Sequence, residues 1–162
     1  MERRSLFRRS AYLGKVELMF IGTFEHNIDE KSRITLPVKF REQLSDGAYI
    51  IGGFDRNLII LPSAKFDALA KKVNALSLGD PEARDLQRRI FEHASEVEFD
   101  KSGRFILPPT LRKLAHLDNE VTVVGTGEKI EIWSPSLLAE KDARFDEPNA
   151  AAELASKYDL SF

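Results

Sequence analysis

The chain has 162 residues, of which 43% are hydrophobic and 31% charged, as is normal for one globular domain. It lacks cysteine, which excludes disulfides and thiolate metal sites, and no apolar run approaches the roughly 18 residues of a membrane span. The net charge of −2 excludes binding to nucleic acid through bulk charge, so any phosphate contact needs a local basic patch.

Residues 1–18 form a basic segment ahead of the first folded pattern. They hold five arginine or lysine residues against two glutamates, and without them the chain has 19 positive and 24 negative charges, a net charge of −5. No uninterrupted apolar stretch or small-residue cleavage site marks them as a secretory signal. We expect a disordered N-terminal extension here, and we hypothesise that translation starts at Met19.

The next 40 or so residues, to about residue 61, alternate short strands with turn formers. Apolar and β-branched residues favour strands, and Pro37 both stops a strand and suits the first turn of a helix. We predict strands over 20–28, 33–36, 49–51 and 58–61, with a short helix over 38–44.

Two amphipathic helices are predicted in the middle of the chain. The first begins at Pro62, and the second has Asp80 as its N-cap, Pro81 as its first residue and an end near Ala94. Opposite charges lie four residues apart on the outer face of the second helix, a pattern typical of a solvated surface: Asp85 with Arg89, and Arg88 with Glu92.

The second half of the chain repeats the order of the first and ends in a polar segment. We predict strands over 97–99, 104–107, 121–124 and 129–133, a short helix over 109–115, and a further helix opened by Ser134. Residues 141–162 are polar, rich in alanine and without a clear period, so we expect a mobile C-terminal tail.

An internal duplication explains this repeated order. The nonamer Asp29–Pro37 recurs 71 positions later as Asp100–Pro108. We align the two halves without a gap, which places Tyr49–Ile51 on Glu120–Thr122. Two copies suit one compact domain with a pseudo-twofold axis. Single residues beyond the nonamer repeat at the same distance: Arg41 as Arg112, Ile59 as Ile130 and Ser63 as Ser134.

Each copy of the nonamer begins with Asp-x-x-x-Arg at a turn between two strands. A carboxylate in that position accepts hydrogen bonds from backbone N–H groups just after it, so we expect Asp29 and Asp100 to close the turns. Ser32 and Gly103 precede the arginines, where a positive φ is expected. The arginine of each copy either folds back on its aspartate or contacts a ligand, and both alternatives stay open.

Basic side chains gather around both turns although the whole chain is acidic. Residues 29–41 have a net charge of +2, and residues 100–113 have a net charge of +3. A guanidinium on a β-hairpin suits a phosphate or the edge of a guanine, and a two-stranded ribbon fits the major groove. For Arg41 and Arg112 we favour a simpler interpretation, in which they only decorate the surface of short helices.

No group of residues in the sequence predicts catalysis. The three histidines lack ligand spacing, so we expect no metal site, and no serine lies in a nucleophile elbow. Gly125–Lys129 lacks the glycine spacing and the Lys-Ser/Thr pair of a phosphate-binding loop, so we predict a hairpin turn there. We therefore expect no enzyme activity, no cofactor and no small-molecule substrate.

Six segments carry a family resemblance: Met19–Gly22, Asp29–Pro37, His93–Glu96, Asp100–Pro108, Val123–Gly125 and Ile130–Trp133. Together they closely resemble the MraZ family, bacterial transcriptional regulators that are associated with the division and cell-wall gene cluster and related to AbrB-like DNA-binding proteins. The resemblance covers about residues 19–140, as two halves at about 19–80 and 90–140.

This resemblance implies an α+β fold of the double-split β-α-β type with swapped hairpins, and assembly into a closed homo-oligomeric ring. It implies a cytoplasmic, nucleoid-associated regulator, usually a repressor, that binds short G-rich direct repeats in double-stranded DNA upstream of its own operon. Lys31 and Arg33 are then the first candidates for DNA contact, with Lys101 and Arg104 as their pseudo-symmetric counterparts.

A second interpretation is a ring-forming interaction scaffold whose basic turns bind an acidic protein. Sequence-selective, salt-sensitive binding to a DNA duplex separates the two interpretations. A ring would also explain how a chain with a negative net charge binds DNA, because several subunits on tandem sites strengthen weak contacts through effective concentration.

Overall fold

The computed structural model describes residues 19–160, so the predicted extension at residues 1–18 lies outside the described part. Within it, eight strands and six α-helices alternate along the chain. They are β1 (Phe20–Asn27), β2 (Arg33–Thr35), α1 (Val38–Gln43), β3 (Ala48–Gly52), β4 (Leu58–Pro62), α2 (Ser63–Asn74), α3 (Pro81–Phe91), β5 (Ser95–Glu96), β6 (Arg104–Ile106), α4 (Pro109–Leu114), β7 (Glu120–Gly127), β8 (Ile130–Trp133), α5 (Pro135–Asp142) and α6 (Ala150–Lys157).

Prolines set the boundaries between several strands and helices. Pro37 and Pro108 follow β2 and β6 with φ near −55° and −58°, and helices α1 and α4 begin directly after them. A proline lacks the N–H that would continue a ladder, and its fixed φ suits a helix start. Asp80 caps α3 as predicted, because its side chain accepts a hydrogen bond from the N–H of Glu82 (3.0 Å).

The strands form two antiparallel sheets with exchanged partners. The larger sheet has the order β1-β7-β8-β4-β3-β5, and β2 pairs with β6 in a separate two-stranded ribbon. Strand β1 therefore pairs with β7 from the other repeat, and β2 pairs with β6 from the other repeat. This exchange is the swapped-hairpin, AbrB-like α+β arrangement that the resemblance implies, so the predicted fold class is confirmed.

A pseudo-twofold axis passes through both sheets. In the ribbon, Ile34 pairs with Phe105, its own counterpart 71 positions later. In the larger sheet, Ile60 pairs with Ile130, the counterpart of Ile59. The pairing in the ribbon and the pairing of β4 with β8 are therefore both consistent with the gapless alignment of the two halves.

One hydrophobic core serves both halves. Counterpart residues from the two copies are buried in it together, each less than 6% exposed: Ile34 with Phe105, Leu36 with Leu107, and Phe40 with Leu111. The ring of Phe40 packs edge-on against Phe20 (5.4 Å between ring centres), which anchors β1 to the helix of its own half. Because most of the buried apolar side chains of both halves in the described residues belong to this one cluster, the two copies fold as one domain.

The gapless alignment is wrong at β3 and β7. Ile51 pairs with Ile59 in the first half, whereas Gly125 pairs with Ile130 in the second. Ile51 therefore corresponds to Gly125, 74 positions later, and not to Thr122. The cause is the hairpin length, since five residues join β3 to β4 and only two join β7 to β8.

The strand predicted over 97–99 is also displaced. The paired residues are Ser95 and Glu96, opposite Ile50 and Tyr49 of β3. The N–H of Val97 still donates to the carbonyl of Ala48 (2.9 Å), but β3 begins there, so no partner remains for the residues beyond.

Neither charge pair predicted on the outer face of α3, Asp85 with Arg89 or Arg88 with Glu92, is formed, because both arginines take other partners. Arg88 donates to Asp85 (3.1 Å), three residues before it. Arg89 instead donates through Nη2 to the carbonyl of Gly53 (3.0 Å), in the loop between β3 and β4. Helix α3 is thereby fixed to the first hairpin, and Arg89 is partly buried.

The C-terminal segment contains regular structure. A 3-10 turn spans Ala143–Asp146 and helix α6 follows, although most of their side chains are exposed. Mobility of residues 141–162 stays a prediction. Across residues 19–160, no helix combines the length and apolar character that crossing a bilayer requires.

Candidate nucleic-acid interface

The first Asp-x-x-x-Arg turn is closed by its aspartate. Asp29 Oδ1 accepts the backbone N–H groups of Lys31 and Arg33, each at 2.9 Å, while Oδ2 accepts Nε–H of Arg33 at 2.6 Å. Ser32 has a φ of 57°, in the left-handed region where few side chains are tolerated. The predicted turn-closing role and positive φ are therefore both present.

The second turn reproduces this geometry. Asp100 Oδ1 accepts the N–H groups of Ser102 (2.9 Å) and Arg104 (3.0 Å), and Oδ2 accepts Nε–H of Arg104 (2.9 Å). Gly103 has a φ of 76°, matching Ser32. Of the two alternatives left open by the sequence, both arginines fold back on their own aspartates.

The pseudo-twofold axis brings the two turns side by side. Arg33 Nη1 lies 4.0 Å from Asp100 Oδ2, and Arg104 Nη1 lies 4.0 Å from Asp29 Oδ2. Two arginines and two aspartates thus form one reciprocal network across the ribbon. The arginine side chains stay partly accessible, at 24% for Arg33 and 33% for Arg104.

Hydrogen bonding controls the ionisation of both carboxyl groups. For Asp29, burial favours the neutral form, but hydrogen bonds from Arg33 and from the N–H of Lys31 outweigh it and hold the pKa below its ordinary value of 3.8. For Asp100, the backbone N–H of Arg104 lowers the pKa most, against a smaller opposing effect of burial. Both aspartates are therefore ionised at neutral pH and neutralise the arginines beside them.

The prediction that Arg41 and Arg112 are only surface residues of short helices is wrong, because both contact the turn of the opposite half. Arg112 Nη1 donates to Ser32 Oγ in the turn of the other half (2.7 Å). Arg41 packs on Gly103, where any Cβ would collide with its guanidinium. Each helix arginine therefore braces the opposite turn. The sequence carried a signal, since both residues repeat at the same 71-residue distance as the turns, but contact across the axis requires the fold.

The lysines of the two turns remain available. Lys31 and Lys101 are exposed, and neither side chain forms a hydrogen bond or ion pair with other described residues. Lys39, on α1, instead lies over the ring of Phe24 (4.9 Å from Nζ to the ring centre). The turns thus offer two free ammonium groups on one side of a rigid ribbon.

The ribbon places one exposed apolar residue next to this polar network. Ile34 and Phe105 point into the core, so Arg33, Arg104 and Ile106 lie on the opposite face. Ile106 is 68% exposed and pairs directly with Arg33. Guanidinium groups and an apolar side chain on one narrow ribbon can contact phosphates, base edges and thymine methyl groups.

The four predicted contact residues and the two predicted turn aspartates thus lie in one surface, here called the turn face: Lys31, Arg33, Lys101, Arg104, Asp29 and Asp100. Swapped hairpins around a shared core, with paired basic turns on one face, define an AbrB-like protein. Among residues 19–160, no three histidine, aspartate or glutamate side chains are grouped to hold a metal ion.

Comparison with known proteins narrows this class. A family model described as "MraZ protein, putative antitoxin-like" matches twice, over residues 19–89 and 90–155. The chain is 42% identical over 143 residues to the "Transcriptional regulator MraZ" of Herpetosiphon aurantiacus, covering 88% of this chain and all of the relative. It is 45% identical over 117 residues to the protein of the same name from Thermomicrobium roseum, covering 72% of this chain and 82% of the relative. The chain belongs to the MraZ family.

Proposed function

We propose that this chain is a DNA-binding transcriptional regulator whose turn face contacts the DNA. The observation that carries the proposal is the pairing of two equivalent rigid turns, each with a free exposed lysine, on one side of a two-stranded ribbon. The relatives named above are called transcriptional regulators, which supports the same class of function. Because the partner is chromosomal DNA, the protein acts in the cytoplasm at the nucleoid.

The side chains of the turn face have different roles in this proposal. Lys31 and Lys101 contact phosphates as mobile point charges. Arg33 and Arg104 each donate Nε–H to their own aspartate and present the remaining N–H groups toward the DNA groove. Asp29 and Asp100 keep both turns rigid, so little entropy is lost when DNA binds.

The finer form of the proposal is a ring of subunits on short G-rich direct repeats, acting as a repressor of the division and cell-wall gene cluster. One subunit offers few phosphate contacts, so useful affinity needs several subunits on tandem sites. Strand β1 supports assembly, because no described strand pairs with its outer edge, and Met19 just before it and Ile21 within it are more than half exposed. An open edge strand of this kind readily pairs with another copy.

Binding to the duplex upstream of the protein's own gene tests the proposed function. The full chain should bind a fluorescent copy of that duplex tightly and a scrambled duplex of equal length weakly. An intact oligomer that ignores the upstream duplex at low salt would refute the proposal and favour the acidic-partner scaffold.

A further inference from the structure

A basic depression lined by none of the turn-face residues lies between the loop of the first hairpin, helix α3 and the end of helix α4. Its volume is about 440 Å³, within the range of small-molecule sites. The hairpin loop contributes one wall and helices α3 and α4 contribute the other. The residues that line it are Gly53, Phe54, Arg56, Arg89, Leu114 and His116.

The ionisable side chains that line the depression are two arginines and a histidine. Among the described residues, no carboxylate lines it. Asp55, which follows Phe54 in the chain, is paired with Lys141 (3.3 Å). Two guanidinium groups in a depression that no carboxylate of the described residues lines form a site for an anion.

The absence of a side chain at Gly52 makes room for the side chain of Arg89. Its guanidinium lies over Gly52, where any Cβ would collide with it, and Nη2 donates to the carbonyl of Gly53. Nη1 is buried and has no hydrogen-bond partner among the described residues. A buried charged donor without a partner is costly, so holding Arg89 at the wall of the depression lowers the stability of the fold.

An aromatic ring stands at the rim of the same depression. Phe54 is 78% exposed, the most exposed of the large hydrophobic side chains in the described part of the chain. Within residues 19–160, this ring is not among the side chains packed in or against the core. A flat exposed ring next to two guanidiniums is suited to stack on a planar heterocycle while the arginines bind phosphate.

We infer that this depression, here called the Arg89 pocket, binds a small phosphorylated ligand that carries a planar ring, namely a nucleoside di- or triphosphate. Arg89 and Arg56 bind the phosphates and Phe54 stacks on the base. The site lies apart from the turn face, so the inference does not depend on the proposed DNA contacts.

Isothermal titration of the DNA-free full chain tests the pocket, with ADP, pyrophosphate and adenosine as probes. Wild type should bind ADP more tightly than pyrophosphate, and adenosine weakest. Arg89→Gln and Arg56→Gln should each weaken ADP binding about tenfold or more. Phe54→Ala should weaken ADP binding and leave pyrophosphate binding unchanged.

Arg88→Gln is the matched control, because Arg88 is the preceding residue on α3 and pairs with Asp85 outside the pocket. It should bind ADP as wild type does. Arg56 and Phe54 are exposed loop residues, so their variants test the site even if Arg89→Gln unfolds. The inference would be overturned if wild type did not bind ADP, or if Arg88→Gln weakened ADP binding as much as Arg89→Gln does. It would also be overturned if only the replacement of Lys31 weakened ADP binding.

Discussion

At the residue scale, the geometry of the turn face depends on the hydrogen-bond partner of each arginine. The aspartate turns and the positive φ at Ser32 and Gly103 could be predicted, because both follow from interactions within five residues. The brace from Arg112 to Ser32 could not be predicted, because it joins residues 80 positions apart across the axis. The hydrogen bond from Arg89 to the carbonyl of Gly53 could not be predicted for the same reason, since the two residues lie 36 positions apart.

The lowered pKa of both aspartates gives a pH-dependent stability. A carboxyl group whose pKa is depressed by folding stabilises the fold above its unfolded pKa, and this contribution disappears as pH falls through the folded pKa. The variant Asp29→Asn with Asp100→Asn should therefore be less stable than wild type at pH 7. The difference should shrink as pH falls below 3.8, the ordinary value of the group.

Thermal unfolding followed by circular dichroism between pH 7 and pH 3 measures this effect. Asp67→Asn is a suitable control, since Asp67 is exposed on α2 away from the turns. A stability difference that stays constant over the whole range would contradict the proposed ionisation of the aspartates.

The arginine braces predict a second effect on stability. Arg112→Gln removes the hydrogen bonds to Ser32 Oγ and to the carbonyls of Leu117 and Asp118. The expected decrease is about 1.5–3 kcal/mol in the free energy of unfolding, measured by urea denaturation. Lys113→Gln, one residue later and exposed, should change it by less than about 0.5 kcal/mol. Equal values for the two variants would show that Arg112 has no bracing role.

At the scale of elements, strand positions were easier to predict than strand partners. Alternation of apolar residues shows which face of a strand is buried, but not which strand lies beside it. The exchange of β1 and β2 between the halves followed only from the family resemblance. The error at β5 has a local cause, since pairing stops where β3 begins at Ala48, which no pattern in residues 97–99 reveals.

The ribbon on the axis supports a prediction about packing. Phe105 is 2% exposed and contacts the ring of Phe99 edge-on (6.0 Å between ring centres). Phe105→Ala should cost about 3–5 kcal/mol of unfolding free energy, because it removes buried apolar surface and leaves a cavity. Ile106→Ala, the next residue on the exposed face, should cost less than about 0.5 kcal/mol. Similar decreases in urea denaturation would mean that the ribbon does not seal the core.

At the scale of the whole molecule, a duplicated chain presents two equivalent turns on one face and buries its apolar counterparts in a single core. The duplication was visible in the sequence, and so was the position of each turn residue along the chain. Their distance in space was not, because it depends on the pairing of β2 with β6. A net charge of −2 makes the location of the positive charges more informative than their number.

The most direct test of the DNA-binding account compares two double variants that remove the same charge. Lys31→Ala with Lys101→Ala changes the turn face, and Lys71→Ala with Lys72→Ala changes exposed lysines of α2. Fluorescence anisotropy with the upstream duplex should show affinity reduced about tenfold or more for the first variant only. The salt dependence of its binding should also become shallower, by about one unit of slope for each phosphate that a lysine no longer neutralises. Equal reductions in the two variants, or wild-type affinity in the first, would contradict the account.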